Sequence, residues 1–94
     1  MKMILLDASG WQTTADFYDA LLPKLGAPDW HGRNLDALDD SLFGGINEVE
    51  PPFNVIVINS SALSTKLRDF ITQVAEVFTN ARQEYGQDVS FEVR

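Results

Sequence analysis

Three aspartates, Asp36, Asp39 and Asp40, fall at i, i+3 and i+4 within the segment DWHGRNLDALDDSLFGG, residues 29–45. On a helix these positions share one face, and Phe43 at i+7 extends it. Like charges at this spacing repel by about a few tenths of a kcal/mol per pair. A helix built for stability alone would interleave Lys or Arg there, and this segment does not. Leu35, Leu38 and Leu42, at i, i+3 and i+7, form a separate apolar stripe that must face a core. The leucines therefore anchor the helix and turn the carboxylates away from it. Three kinds of chemistry fit such a flank. It is a solvated polar face, or a divalent-cation site for Mg²⁺ or Ca²⁺, or a phosphate mimic set to pair with Arg and Lys lining another protein's anion-binding cleft. The cation reading lacks an EF-hand spacing and draws all its ligands from one helix, whereas such ions recruit ligands from separate elements.

Enzymatic motifs are missing. The sequence has no P-loop, no Gly-rich dinucleotide turn, no Ser-His-Asp candidate set and no metal motif. Asp36 and Asp40 lie along one helix, whereas a glycosidase pair faces itself across a cleft. His31 is the sole histidine and has no Ser or Cys nucleophile motif beside it, so turn packing is its simplest role. We therefore expect no catalytic residue, no cofactor and no enzyme. Trp30, in the loop before the helix, is either a buried anchor or an exposed binding hot spot.

The bulk properties restrict the partners. The 94 residues suit one domain, 1–94, and 45% hydrophobic residues supply a core without staples. The chain has no Cys, which excludes disulfides and Cys-based zinc sites. The run MILL is too short for a signal peptide or a membrane span, which reads as a cytoplasmic protein with no membrane association. Fourteen acids against seven bases give a net charge of −7, which disfavours direct nucleic-acid binding and favours a basic protein partner. Residues 29–50 hold six acids and one base, Arg33, so five of the seven net charges sit in under a quarter of the chain. We expect a monomer when free.

The elements that must position this flank follow from periodicity. MILLD (3–7) is a continuous apolar run, read as a strand buried on both faces. A helix then starts with Thr13 or Thr14 as cap and Asp16 in its first turn. Its inward stripe is Phe17, Ala20 and Leu21, Pro23 ends or kinks it, and Gly26 closes it. The second helix runs from about Asn34, its cap, to Phe43, and GGINEVEPP breaks it. FNVIVIN (53–59) is a second buried strand. After a Ser-rich start, Leu67, Phe70, Ile71, Val74, Val77, Phe78 and Ala81 mark a long helix stopped by Gly86. DVSFEVR alternates as an edge strand with one wet face. Trp11 and Phe17 belong to the core or its edge, and Tyr85 packs at the end of the last helix. Strands separated by helices imply right-handed crossovers. The fold class is α/β, a small three-stranded parallel sheet packed with helices in two layers.

The stretch DWHGRNLDALDDSL resembles the signature of the barstar family, intracellular inhibitors of ribonucleases. That signature is an aromatic pair, Gly, any residue, Asn-Leu-Asp-Ala-Leu, an aromatic, then Asp and a small residue before Leu. Length, element order and acidity agree over the whole chain. The resemblance implies that the helix and its preceding loop enter the active site of a basic ribonuclease or nuclease toxin. It matches Asp40 to the family's dominant carboxylate, at a phosphate subsite, and Asp36 to a second contact. Trp30 and His31 match two aromatic loop positions, with Trp30 covering the enzyme's catalytic His or a base-stacking surface. Gly32 and Asn34 shape the helix entry, and Gly44 matches a glycine with its carbonyl at the rim. Three positions depart. Asp39 stands where the family has Trp, Gly45 replaces a Trp, and Asn80 stands near a Glu that pairs with an enzyme Arg. The resemblance thus implies the same surface aimed at a different nuclease. The alternatives are a small metal-binding or hydrolytic domain using Asp36, Asp39 and Asp40, and an interaction module whose partner is no nuclease.

Overall fold

The computed structural model describes residues 1–44 and 47–94, together with every side chain in them but that of Phe43. Gly45, a sequence-level departure, lies outside the described residues. In chain order the elements are β1 (Lys2–Asp7), α1 (Thr14–Leu25), α2 (Leu35–Gly44), β2 (Phe53–Ile58), a 3₁₀ turn (Ser60–Ala62), α3 (Thr65–Tyr85) and β3 (Val89–Val93). The strands form one parallel sheet in the order β1-β2-β3, with Ile4 beside Val55 and Val55 beside Phe91. The α/β class and the parallel sheet expected from the sequence are both present.

One face of the sheet meets the helices. Ile4, Leu6, Phe53, Val55, Val57 and Val89 share a register face and join buried helix side chains in one core. Those helix residues include Phe17 and Leu21 from α1, Leu38 and Leu42 from α2, and Val74 and Phe78 from α3. β2 is central and its residues Phe53 to Val57 are all buried, as its mostly apolar run implies, with Asn54 the one polar residue among them. β1 corrects the sequence reading. It was expected to be buried on both faces, but it is an edge strand that buries Ile4 and Leu6 while Met3 and Leu5 are exposed. Its apolar residues on the outer face hide the alternation that an edge strand normally shows. Asp16, at the start of α1, accepts hydrogen bonds from the backbone N–H of Gln12 (2.7 Å) and Thr13 (3.0 Å).

Pro23 does not end α1, which runs on to Leu25. It sits inside the last turn, so it forfeits one backbone hydrogen bond near the terminus, where little remains to be broken. Two residues later Gly26 closes the helix at φ 65°, a left-handed conformation that glycine adopts at low cost. A Cβ at Gly26 would lie 2.6 Å from the Glu48 Cβ. The chain after α2 returns here: Glu48 N–H donates to Gly26 O (3.2 Å) and Val49 N–H to Leu25 O (3.0 Å). Both ends of the segment that holds the acidic helix are thereby tied to the end of α1.

Those two backbone donors, Gln12 first and then Thr13, hold the Asp16 carboxyl below its usual 3.8. A group whose folded pKa is depressed stabilises the fold above its unfolded pKa and loses that contribution as pH falls through the folded value. We therefore expect part of the stability to disappear below pH 3.8 and to be missing at all pH values in Asp16→Asn. Denaturant unfolding followed by circular dichroism across the acid range checks this. Identical acid slopes for the two proteins would contradict it.

Candidate partner-binding surface

The acidic helix is held by its cap and its leucines. Asn34 Oδ1 accepts the Ala37 N–H at 2.7 Å, satisfying one of the free donors of the first turn. Leu38 and Leu42 are buried, Leu35 is half-buried, and α2 packs against α3. A side chain at Gly32 would place its Cβ 2.8 Å from Asn34 Nδ2 and 3.2 Å from Ala37 Cβ, so the loop comes close to the helix only because nothing projects there.

With the leucines inward, Asp36 and Asp40 are exposed and Asp39 is half-exposed. Among the described residues the ion pairs are Arg33–Asp19 (2.9 Å) and Arg94–Glu92 (2.8 Å), and neither involves α2. Arg33, the one base in the acidic segment, turns away to Asp19 on α1. The carboxylates of Asp36, Asp39 and Asp40 thus stay free of the chain's own lysines and arginines among the described residues. Asp39 does have a neutral partner, since Tyr85 Oη at the end of α3 donates to its Oδ2 at 3.1 Å. This bond, with the neighbouring negative charges, raises the Tyr85 pKa, so the phenol stays protonated and keeps donating.

A shallow cavity of about 450 Å³ runs between α2 and α3, with Asp36 and Asp39 on one wall and Asn80, Glu84 and Tyr85 on the other. Leu35 and Val77 complete its lining. The structure thus brings Asp36, Asp39 and Asn80 together. Trp30 is 74% exposed in the loop before α2, an expensive exposure for so large an apolar side chain. His31, next to it, points inward and is 5% exposed. Gly44 ends α2 in the open, and the side chain of Phe43 lies outside the described residues. Glu84 and Tyr85 line this groove and are not among the contact residues expected from the sequence. The i, i+4 spacing of Asn80 and Glu84 puts both on one side of α3, but only the tertiary fold aims that side at Asp39.

No group of three or more His, Asp or Glu among the described residues comes together to hold a metal ion. Among the same residues no helix is long and apolar enough to cross a membrane.

A family model described as Barstar (barnase inhibitor) matches residues 1–94, the full span of the fold just described. The chain belongs to the barstar family. The chain is also similar to a Bacillus subtilis (strain 168) protein named "Putative ribonuclease inhibitor YrdF", 34% identical over 84 residues, which covers 89% of each chain. A ribonuclease is the kind of protein partner that membership of this family implies.

Proposed function

We propose that this protein inhibits a basic ribonuclease by laying α2 and the Trp30 loop over the enzyme's active site. The enzyme would be a secreted or toxin-type nuclease, and the inhibitor would protect the cell that makes it. One observation carries the reading: Asp36 and Asp40 stand in solvent and form no ion pair with a Lys or Arg among the described residues, and the loop before their helix carries a 74% exposed Trp30. Carboxylates held this way imitate substrate phosphates. They have already given up the counter-charges that would compete with an enzyme's arginines and lysines. Trp30 contributes the apolar anchor that charge alone lacks. Asn34, Gly32 and Gly44 fix the entry and exit of the helix, and Asp39 and Asn80 extend the contact to the α2–α3 groove. The protein does no chemistry in this role. It excludes substrate, in the cytoplasm, as a reversible plug.

An RNA-degradation assay with a panel of small basic ribonucleases, barnase among them, tests the proposal. Stoichiometric loss of cleavage with at least one enzyme is expected, and undiminished cleavage with all of them counts against it.

The net charge of −7 adds an expectation about rate. Exposed charges act over about 8–10 Å at physiological ionic strength, so the field of the acidic flank steers a basic partner at low salt and is screened at high salt. The barnase–barstar pair is the reference case for such steering, and its magnitudes are carried over from the family. Stopped-flow association should slow at least tenfold between dilute and molar salt, with the off-rate changing far less. An on-rate indifferent to salt would remove steering from the mechanism.

A further inference from the structure

Behind the Trp30 loop lies a hollow of about 270 Å³ between the second half of α1 and residues 27–33. Tyr18, Leu22, Pro23, Ala27, Pro28 and His31 form its walls. Two of these side chains end in buried polar atoms with no hydrogen-bond partner, Tyr18 Oη and His31 Nε2. Tyr18 is 1% exposed and His31 5%. Buried polar groups are nearly always paired, so these two unpaired atoms, on side chains that line one cavity, leave hydrogen-bonding capacity for a ligand.

Their chemistry states what that ligand must offer. His31 Nδ1 lies 2.7 Å from Gly32 O, and a carbonyl only accepts, so Nδ1 carries the proton. In the neutral ring Nε2 is then an acceptor and needs a donor. Burial pushes the Tyr18 hydroxyl up to about 12, so it stays un-ionised and can also accept. At the mouth, Asp19 is taken by Arg33, while Asp29 is exposed and has no partner among the described residues. Two separate acceptors, a spare carboxylate and apolar walls fit a donor-rich cation on an aliphatic stem.

We propose that this hollow is an anchor pocket for an arginine side chain of the partner ribonuclease, whose guanidinium donates to His31 Nε2 and Tyr18 Oη while Asp29 offsets its charge. A guanidinium has five donors in a planar fork and can reach two acceptors that do not meet each other, which a compact ammonium does less well. In the free chain neither acceptor has surface open to water, so the walls must part for the ligand. The link between them is the Arg33–Asp19 pair, 58% exposed on each side, the kind of surface ion pair that opens at little cost. Occupancy would also fix the segment carrying Trp30, joining this pocket to the main contact surface. The identity of the partner rests on the ribonuclease reading, whereas the pocket's preference for an alkylguanidinium does not.

Because His31 is the sole histidine, the imidazole ¹⁵N resonances report this site alone. We would titrate the full chain with methylguanidinium chloride, with methylammonium chloride and sodium chloride at matched ionic strength as controls. A saturable shift of Nε2, larger than that of Nδ1 and stronger for methylguanidinium than for methylammonium, is expected. Tyr18→Phe should weaken it several-fold, and Arg33→Gln, which removes both the link and a like charge, should strengthen it several-fold. A response equal to that of sodium chloride, a preference for methylammonium, or insensitivity to both substitutions would overturn the pocket. Loss of the pocket with ribonuclease inhibition intact would leave the proposed function standing. A positive titration without inhibition of any ribonuclease would retain the pocket and remove its assigned partner.

Discussion

Asp40→Ala is expected to weaken binding to the partner ribonuclease by about 2–5 kcal/mol, tens- to thousands-fold in Kd. The size follows from what is lost and what is left behind. Asp40 is exposed and pairs with no cation among the described residues, so its charge is available to a partner. Removing it leaves a partner cation desolvated at the interface without its counter-charge, the costly half of breaking an ion pair. Asp36→Ala should have a smaller effect, since Asp36 sits in the first turn, where the N-terminal dipole already satisfies part of its charge. Asp16→Ala removes an equal charge from the start of α1 and should scarcely alter Kd. Calorimetric titration of the three variants gives the ranking. Similar small losses at Asp40 and Asp16 would mean that α2 is not the contact surface.

The second large effect is on folding. Phe17→Ala should cost about 3–5 kcal/mol of stability, against a total of about 5–15 kcal/mol for a domain of this kind. Phe17 is 0% exposed and stands at the centre of an aromatic cluster. Its ring meets Trp11 at 5.7 Å, Tyr18 at 5.2 Å and Phe70 at 5.5 Å between centroids, all edge-on. Truncation leaves a void that three rings from two helices and a loop cannot all close at once. Chemical denaturation measures the loss through its midpoint at constant m-value. A cost below about 1 kcal/mol would show that the cluster repacks freely.

How far the sequence alone reached depends on the element. β2 and α3 were legible because each carries one unambiguous signal, four consecutive β-branched residues from Val55 to Ile58 and apolar residues every three to four positions from Leu67 to Ala81. α2 was legible because its cap and leucine ridge are local features. β1 was misread because Met3 and Leu5 are apolar although exposed, so composition imitated a central strand. That α1 continues past Pro23 was not legible, because the helix end is set by the left-handed Gly26 and the returning chain at Glu48 and Val49.

The surface shows the same division. The spacing of Asp36, Asp39 and Asp40 gave the outward flank. Contacts between residues far apart in the chain were not legible: Tyr85 reaching Asp39 across 46 positions, or Arg33 choosing Asp19 over the nearer carboxylates. Each depends on where α1 and α3 come to rest. His31 is buried beside an outward Trp30, in keeping with the turn packing read from the sequence.

The most direct measurement is inhibition of a susceptible basic ribonuclease by the wild-type chain and by the combined variant Asp36→Asn, Asp39→Asn, Asp40→Asn. The variant keeps the shape of α2 and removes only its charge, and circular dichroism verifies that it folds. Wild type should abolish RNA cleavage at a one-to-one ratio, and the variant should leave the enzyme nearly as active as without inhibitor. A folded variant that still inhibits at the wild-type ratio would contradict the claim that the carboxylate flank of α2 is what the enzyme recognises.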